Sequence, residues 1–378
     1  MLMILVDFSA VMFQGIFGAY SALKPPVNKD TGLRDMTPEV SRYIISTILL
    51  NLSDAIKAHP KYAREVVLCL DDHAHPNWRH KILPTYKRSR SRKRADSKID
   101  FKSCFALVNE LLISIENATP WKVVSYDAAE GDDIILCLAH QYAPTEPILI
   151  ISSDKDMLQA SEYGPDVKQY SLLNKSYITF RNKGTGSLSE WVVEHVALGD
   201  AADEIPKVVD DTRFTPEFRT WLDERGYEHI DEYEFNTAGF IDAKSDDDVA
   251  YCCRKYDLYT ELARVYMIET RHDTIFMKER FGIISLQKVL RKYGCYANWI
   301  KTNPMYDYNS MRNFNLIMHA GIPEEIKAGA IQCYNEAKHS LGNDFRDFLT
   351  SHQCENILIQ LPSNMLPKRT LTPDFFDF

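Results

Sequence analysis

Short apolar runs built from valine, isoleucine and leucine recur through the first half of this 378-residue chain, and carboxylates follow each of them. Residues 2–6 run into Asp7, residues 66–70 into Asp71, and residues 148–151 lead to Asp154 and Asp156. The runs are four or five residues long and lack polar alternation, which suits strands buried on both faces of a parallel sheet better than surface strands. In such sheets ligands bind beyond the carboxyl ends of the strands. The pattern therefore predicts that Asp7, Asp71, Asp154 and Asp156 converge although they are far apart in sequence.

Between these runs the sequence carries helical signals. The pattern predicts strands over 2–7, 65–71, 121–126 and 147–152, and helices over 38–59, 99–117 and 130–141. Thr37 reads as the cap of the first of these helices, with Pro38 at its first position. Shorter strands over 167–170 and 177–180 suggest a hairpin around Asn174 and Lys175, and a helix over 189–198 leads to Gly199 and Asp200. The expected fold is α/β: a mostly parallel central sheet with helices on both faces, a basic helical arch at about 73–100, and a mostly helical C-terminal region. The expected domains are a core over 1–206, a helical region over 207–360 and an extended tail over 361–378.

Glu130, Asp132 and Asp133 fall in the first turn of one predicted helix, where the dipole favours negative charge. Asp200 and Asp203 follow another. Any one of these acids is explained as a helix cap or strand end. As a set of nine with the sheet-edge residues, they would repel strongly without a counter-charge. All are oxygen donors with no matching Cys or His, so the implied ion is hard: Mg²⁺, with Mn²⁺ able to replace it. Two such ions, about 3.5–4 Å apart, stabilise the attacking and leaving oxygens of a phosphodiester displacement.

A net charge of −9 argues against a nucleic-acid partner until the charge is located. Arg79, Lys81, Lys87, Arg88, Arg90, Arg92, Lys93 and Arg94 lie in a sixteen-residue stretch without an acid. Tyr86 lies among them. Basic side chains with an aromatic to stack a base suit single-stranded nucleic acid. The eight cysteines form no CxxC pair, as expected of a reduced, cytoplasmic protein. No signal-like start or membrane-length apolar run is evident, so no membrane partner is expected and a monomer is the simplest state.

Six ordered blocks resemble the 5′-nuclease (flap endonuclease) superfamily, in particular its bacteriophage ribonuclease H and 5′-exonuclease branch. They are Leu-Val-Asp7-Phe-Ser, Leu-Cys-Leu-Asp71, Leu-Pro-Thr-Tyr86-Lys87-Arg-Ser-Arg90, Glu130-Gly-Asp132-Asp133, Ile-Ser-Ser-Asp154-Lys-Asp156 and Leu-Gly-Asp200-Ala-Ala-Asp203. The resemblance covers about residues 1–206, with a fainter echo at 308–338. It departs from the family after Pro206, where the expected glycine-bearing helix-hairpin-helix turn is missing. If the chain is viral, its compartment is the host cytoplasm.

The resemblance implies that Asp7, Asp71, Glu130, Asp132, Asp133 and Asp154 hold one ion, and that Asp156, Asp200 and Asp203 hold the second. It further implies that Tyr86 stacks on a terminal base and that Lys87, beside Arg90, approaches the scissile phosphate. Asp7, Asp71, Asp132, Asp154 and Lys87 then carry the chemistry. The implied activity is hydrolysis near the 5′ ends of DNA flaps, duplexes or RNA-DNA hybrids, as in RNA primer removal, beside a single-strand-binding protein. Leu371, Phe375, Phe376 and Phe378 resemble a peptide that docks into a sliding clamp. The competing readings are a PIN-type ribonuclease, which usually lacks the long arch and the Asp200/Asp203 block, and a non-catalytic junction-binding protein of the same fold.

Overall fold

The computed structural model describes residues 2–62, 65–83, 86–181, 184–210, 214–227, 262–263, 265–271, 275, 280–337 and 344–361. Leu371, Phe375, Phe376 and Phe378 lie outside these residues. Six strands form one sheet: β1 (Met3–Asp7), β2 (Glu65–Cys69), β3 (Lys122–Val124), β4 (Ile148–Ile151), β5 (Val167–Ser171) and β6 (Ser176–Ile178). The order is β3-β2-β1-β4-β5-β6, parallel except for the antiparallel β5–β6 hairpin.

The chain builds outward from β1 to β2 and β3, then returns to the other side of β1 to place β4. The strand order thus reverses between β1 and β4, where α/β sheets open a crevice at their carboxyl edge. Asp7 is the last residue of β1 and Asp154 follows β4 by three residues.

Both faces of the sheet are covered, as expected. Ile4, Val6, Val66, Leu68, Leu149 and Ile151 join one core with α1 (Phe8–Leu23), α2 (Pro38–Ala58) and α4 (Phe101–Ala118). The alternate residues Met3, Leu5, Val67, Ile148 and Ile150 are buried as well. By the two-residue strand period they face the other side, where α5 (Gly131–Tyr142) contacts β1, β2 and β4.

Helix α1 has no counterpart among the sequence-predicted elements. It is apolar around most of its circumference and carries Gly15 and Gly18, which lower helix propensity, so it lacks the polar stripe that marks a surface helix. Burial of Phe8, Val11, Met12, Ile16 and Tyr20 overrides that propensity.

The expected boundary at 206 also differs from the observed organisation. One compact unit comprises Met1–Lys81, Arg88–Leu188 and Met318–Phe378; the other comprises Ile82–Lys87 and Ser189–Ile317. The first unit takes back the C-terminal part because Phe345, Leu349, Cys354, Ile357 and Leu361 belong to the sheet core. In that unit α11 (Glu324–Glu336) packs on α5, and α12 (Asp344–Ser351) packs on α4.

The second unit contains α6 (Leu188–Leu198, from its second residue), α7 (Pro216–Asp223), α8 (Ile283–Tyr293), α9 (Tyr296–Thr302) and α10 (Asp307–Ile317). One of its cores joins Ala197, Val208 and Val209 to Leu286, Trp299 and Ile300. Among the described residues no helix is long and apolar enough to cross a membrane.

Candidate metal and nucleic-acid site

The expected carboxylates fall in two groups, one in each unit. In the first unit Asp7 ends β1 and caps α1, with Oδ1 accepting from the Ala10 amide at 3.0 Å and Oδ2 from the Ser152 hydroxyl at 2.9 Å. The same hydroxyl accepts from the Asp154 amide at 3.1 Å. Ser152 thereby ties the ends of β1 and β4 together. Asp154 Oδ1 in turn accepts from the Asp156 amide at 2.9 Å.

On the other side of β1, Asp71 Oδ1 accepts from the Gly131 amide at 2.8 Å. This bond brings the amino terminus of α5, and with it Glu130 and Asp132, to the end of β2. The approach is close because Gly131 has no side chain: a Cβ there would lie 2.8 Å from the Cys69 carbonyl oxygen. Cys69 itself pairs with Asp7 in the sheet register. Burial first, then the negative charges of Asp7 and Asp132, pushes its thiol well above the usual range. Carboxylates from two distant segments thus lie near one buried atom.

Asp7, Asp71, Glu130, Asp132, Asp154 and Asp156 are all half-buried at this edge. Their oxygen-only chemistry fits a hard divalent cation. Asp133 departs from the expectation. It is 0 % exposed. Arg79 donates to its Oδ1 through Nη2 at 2.7 Å and to its Oδ2 through Nη1 at 2.9 Å. The Trp78 indole at 3.0 Å and the Glu130 amide at 2.9 Å also donate to Oδ2.

Arg79, expected on nucleic acid, is correspondingly buried at 5 % exposure, and its Nη1 also donates to Glu130 Oε2 at 3.2 Å. A buried cation paired with two acids offers nothing to a phosphate. The basic character of the segment hid this, because composition cannot separate an inward-facing arginine from outward-facing ones.

Arg90 and Lys93 differ in being exposed. Lys81 is exposed as well. Helix α3 (Arg88–Asp96) carries Arg88, Arg90, Arg92, Lys93 and Arg94, and Ala95 is its one apolar residue. A helix polar on every side has no apolar stripe to bury.

In the second unit Asp200 and Asp203 flank a tight loop. The Asp200 and Ile205 backbones exchange hydrogen bonds at 2.9 and 2.8 Å. Gly199 opens the loop at φ +64°, where a Cβ would lie 2.3 Å from the Ile205 carbonyl. Asp200 Oδ1 accepts from the Ala202 amide at 2.7 Å, and His195 Nε2 lies 3.5 Å from Oδ2.

Asp203 Oδ2 accepts from the Tyr86 hydroxyl at 3.0 Å, with Lys87 Nζ at 3.4 Å. The Lys87 amide donates to the Asp203 carbonyl at 3.1 Å. Tyr86, expected to offer a ring for base stacking, is 3 % exposed and holds Asp203 instead.

Two residues that no sequence pattern singled out brace this loop. Asn309 donates to the Val208 and Asp210 carbonyls at 3.0 and 2.7 Å, and Asn313 to those of Val196 and Pro206 at 2.9 and 2.8 Å. Both are fully buried on α10. The only signal for them was the fainter echo at 308–338.

The sequence matches the family model for the 5′-3′ exonuclease, N-terminal resolvase-like domain, over residues 2–186. That stretch is therefore similar to the N-terminal domain of 5′-3′ exonucleases. Ribonuclease H of Enterobacteria phage T4 is 28 % identical to this chain over 177 residues, 45 % of this chain and 57 % of the relative. The 5′-3′ exonuclease of Buchnera aphidicola from Acyrthosiphon pisum is 27 % identical over 164 residues, 42 % of this chain and 54 % of its own.

The chain thus spans about half the length of the curated relatives it matches. Among solved structures, the T5 D15 protein co-crystallised with metal ions aligns over 95 % of this chain and 99 % of its own, at 15 % identity and a TM-score of 0.44.

Proposed function

We propose that this protein is a metal-dependent nuclease that hydrolyses phosphodiesters near the 5′ ends of DNA flaps, duplexes or RNA-DNA hybrids. The observation that carries the reading is the tying of Asp7, Asp71 and Asp154 to one sheet edge through Ser152 and Gly131. Nucleases named 5′-3′ exonuclease and ribonuclease H among the relatives support the reaction class.

Asp7, Asp71, Glu130, Asp132 and Asp154 would hold one Mg²⁺. Asp156, Asp200 and Asp203 enter as ligands of a second through the family resemblance. When bound, the ions supply an activated water and stabilise the departing 3′ oxygen. Lys87 adds positive charge to the phosphate as charge builds there, and α3 holds the strand by its phosphates. The role is RNA primer removal beside a single-strand-binding protein, by a monomer in the cytoplasm, the host's if the protein is viral. Leu371, Phe375, Phe376 and Phe378 would dock a sliding clamp.

The deciding experiment is cleavage of a 5′-labelled flap duplex and an RNA-primed duplex with Mg²⁺, against EDTA and Asp154→Ala. Metal-dependent products from the 5′ end, lost in the variant, support the reading. Tight, salt-sensitive binding without cleavage would replace it with a junction-binding protein, and cleavage of unstructured RNA alone with a PIN-type ribonuclease.

A further inference from the structure

We infer that Arg79 and Asp133 form a closed, charge-neutral clamp that positions Glu130 for the cation, and that neither residue itself takes a metal or a phosphate. The inference rests on the metal-dependent reading above and divides its carboxylates by role.

A carboxylate offers about four lone-pair directions. Asp133 receives four donors, three at Oδ2 from Arg79, Trp78 and the Glu130 amide and one at Oδ1 from Arg79. A cation there would have to enter an enclosed site and sit against a buried, bidentate guanidinium. Such pairs are the strong form of charge-assisted hydrogen bond.

Arg79 is sealed on its other side by the Trp78 ring, 4.4 Å from the guanidinium carbon to the ring centre. From there it also reaches Glu130, at Oε2. Glu130 is therefore held twice, its amide by Asp133 and its side chain by Arg79.

The charge balance explains why two ionic residues are used. A lone arginine beside Glu130 would fix the carboxylate but would also repel an incoming cation. Paired with Asp133, it brings orientation with no net charge, and the negative potential of the edge is left to Asp7, Asp71, Asp132 and Asp154. Partners that hold a ligand from behind commonly set metal affinity by about 10- to 100-fold.

The test uses the full chain. Mn²⁺ binding without nucleic acid is followed by paramagnetic resonance or calorimetry. DNA affinity in Ca²⁺ is followed as a function of salt, and kcat and KM are measured separately. Asp133→Asn is expected to keep the Mn²⁺ count of the parent while weakening binding by about tenfold or more. Arg79→Met is expected to lower kcat with KM and the salt slope unchanged. Arg79→Lys, with charge but no fork, should fall between it and the parent.

Where Arg79→Met folds poorly, Arg79→Met with Asp133→Leu removes both buried charges. A clamp that acts on Glu130 leaves this double variant folded but still weak for Mn²⁺, whereas recovery of Mn²⁺ affinity along with stability would mean a purely structural pair and overturn the inference. Loss of one Mn²⁺ in Asp133→Asn would make Asp133 a ligand. A salt slope lower by about 0.9 in Arg79→Met would make Arg79 a phosphate contact. Either result overturns the inference while leaving the nuclease reading intact. Absence of Mn²⁺ binding in the parent protein would overturn both.

Discussion

Neighbouring acids in one motif do different work here, and the difference is set by a rotation of about 100° per residue along a helix. Asp132 is half-buried at the sheet edge, while Asp133 is wholly enclosed. Removing one partner of a buried ion pair leaves the other charge uncompensated, at a cost of about 3–5 kcal/mol. Asp133→Ala should lose about that much in urea unfolding, whereas Asp132→Ala should cost little stability and abolish cleavage. Equal stability losses would show that Arg79 does not depend on Asp133. In the second unit, Tyr86→Phe removes the hydroxyl donated to Asp203, and turnover should fall with DNA affinity kept. A matching loss of affinity would return Tyr86 to base stacking. The carboxylates were legible in the sequence because each follows an apolar run or opens a helix. The phase of Glu130-Gly-Asp132-Asp133 was not, since Ile134 to Leu138 is apolar on every side and marks no inward face.

At the scale of elements, the site depends on how closely one helix end meets one strand end. In Gly131→Ala the new methyl would press on the Cys69 carbonyl, a backbone atom that cannot swing aside. The strain of such overpacking is about 1–3 kcal/mol. Metal affinity should drop with stability, because Gly131 also donates to Asp71; a drop in stability alone would detach this helix end from the site. Behind α5, His319 stacks on His140 with ring centres 4.5 Å apart, and burial, then the neighbouring His140, lowers its pKa to about 4. An unfolded histidine titrates near 6.5. The unfolded state therefore gains the proton first, and the stability from a neutral His319 is complete above pH 6.5 and is lost as the pH falls toward 4. Its slope is at most about 1.4 kcal/mol per pH unit. Unfolding curves of His319→Gln should lack this part of the acid limb, and an unchanged limb would assign it to carboxylates. Strand positions and helices α2, α4, α5 and α6 were readable from the sequence pattern. Helix α1 was not, because a helix buried on most sides has no polar stripe to reveal it.

Over the whole molecule, the family match and the folding unit have different boundaries. The family match ends at residue 186, yet the core of the first unit includes Phe345, Leu349, Ile357 and Leu361. At about 1.5–3 kcal/mol for each buried side chain, exposing these four costs on the order of 10 kcal/mol. That equals the entire stability of an ordinary domain. Polar contacts add to the argument. Tyr334 donates to Glu65 at 2.8 Å, Lys122 pairs with Glu65 at 3.1 Å, and the Ser53 hydroxyl donates to the Gln360 carbonyl at 2.7 Å. Glu65 opens β2 and Lys122 opens β3, so loss of Tyr334 would leave a buried acid and its half-buried lysine at the start of the sheet with a weakened cover. This organisation was not legible in the sequence, because the change of composition after Pro206 marks where the helical region begins and carries no sign that the chain later returns. A fragment of residues 1–206 should therefore fail to melt cooperatively and should bind a dye for exposed apolar surface, although it contains all nine acids and the basic helix. Residues 1–361 should melt as the full chain does. A cooperative transition for 1–206 at the temperature of the full chain would show that the returning segment is an accessory to the sheet rather than part of its core.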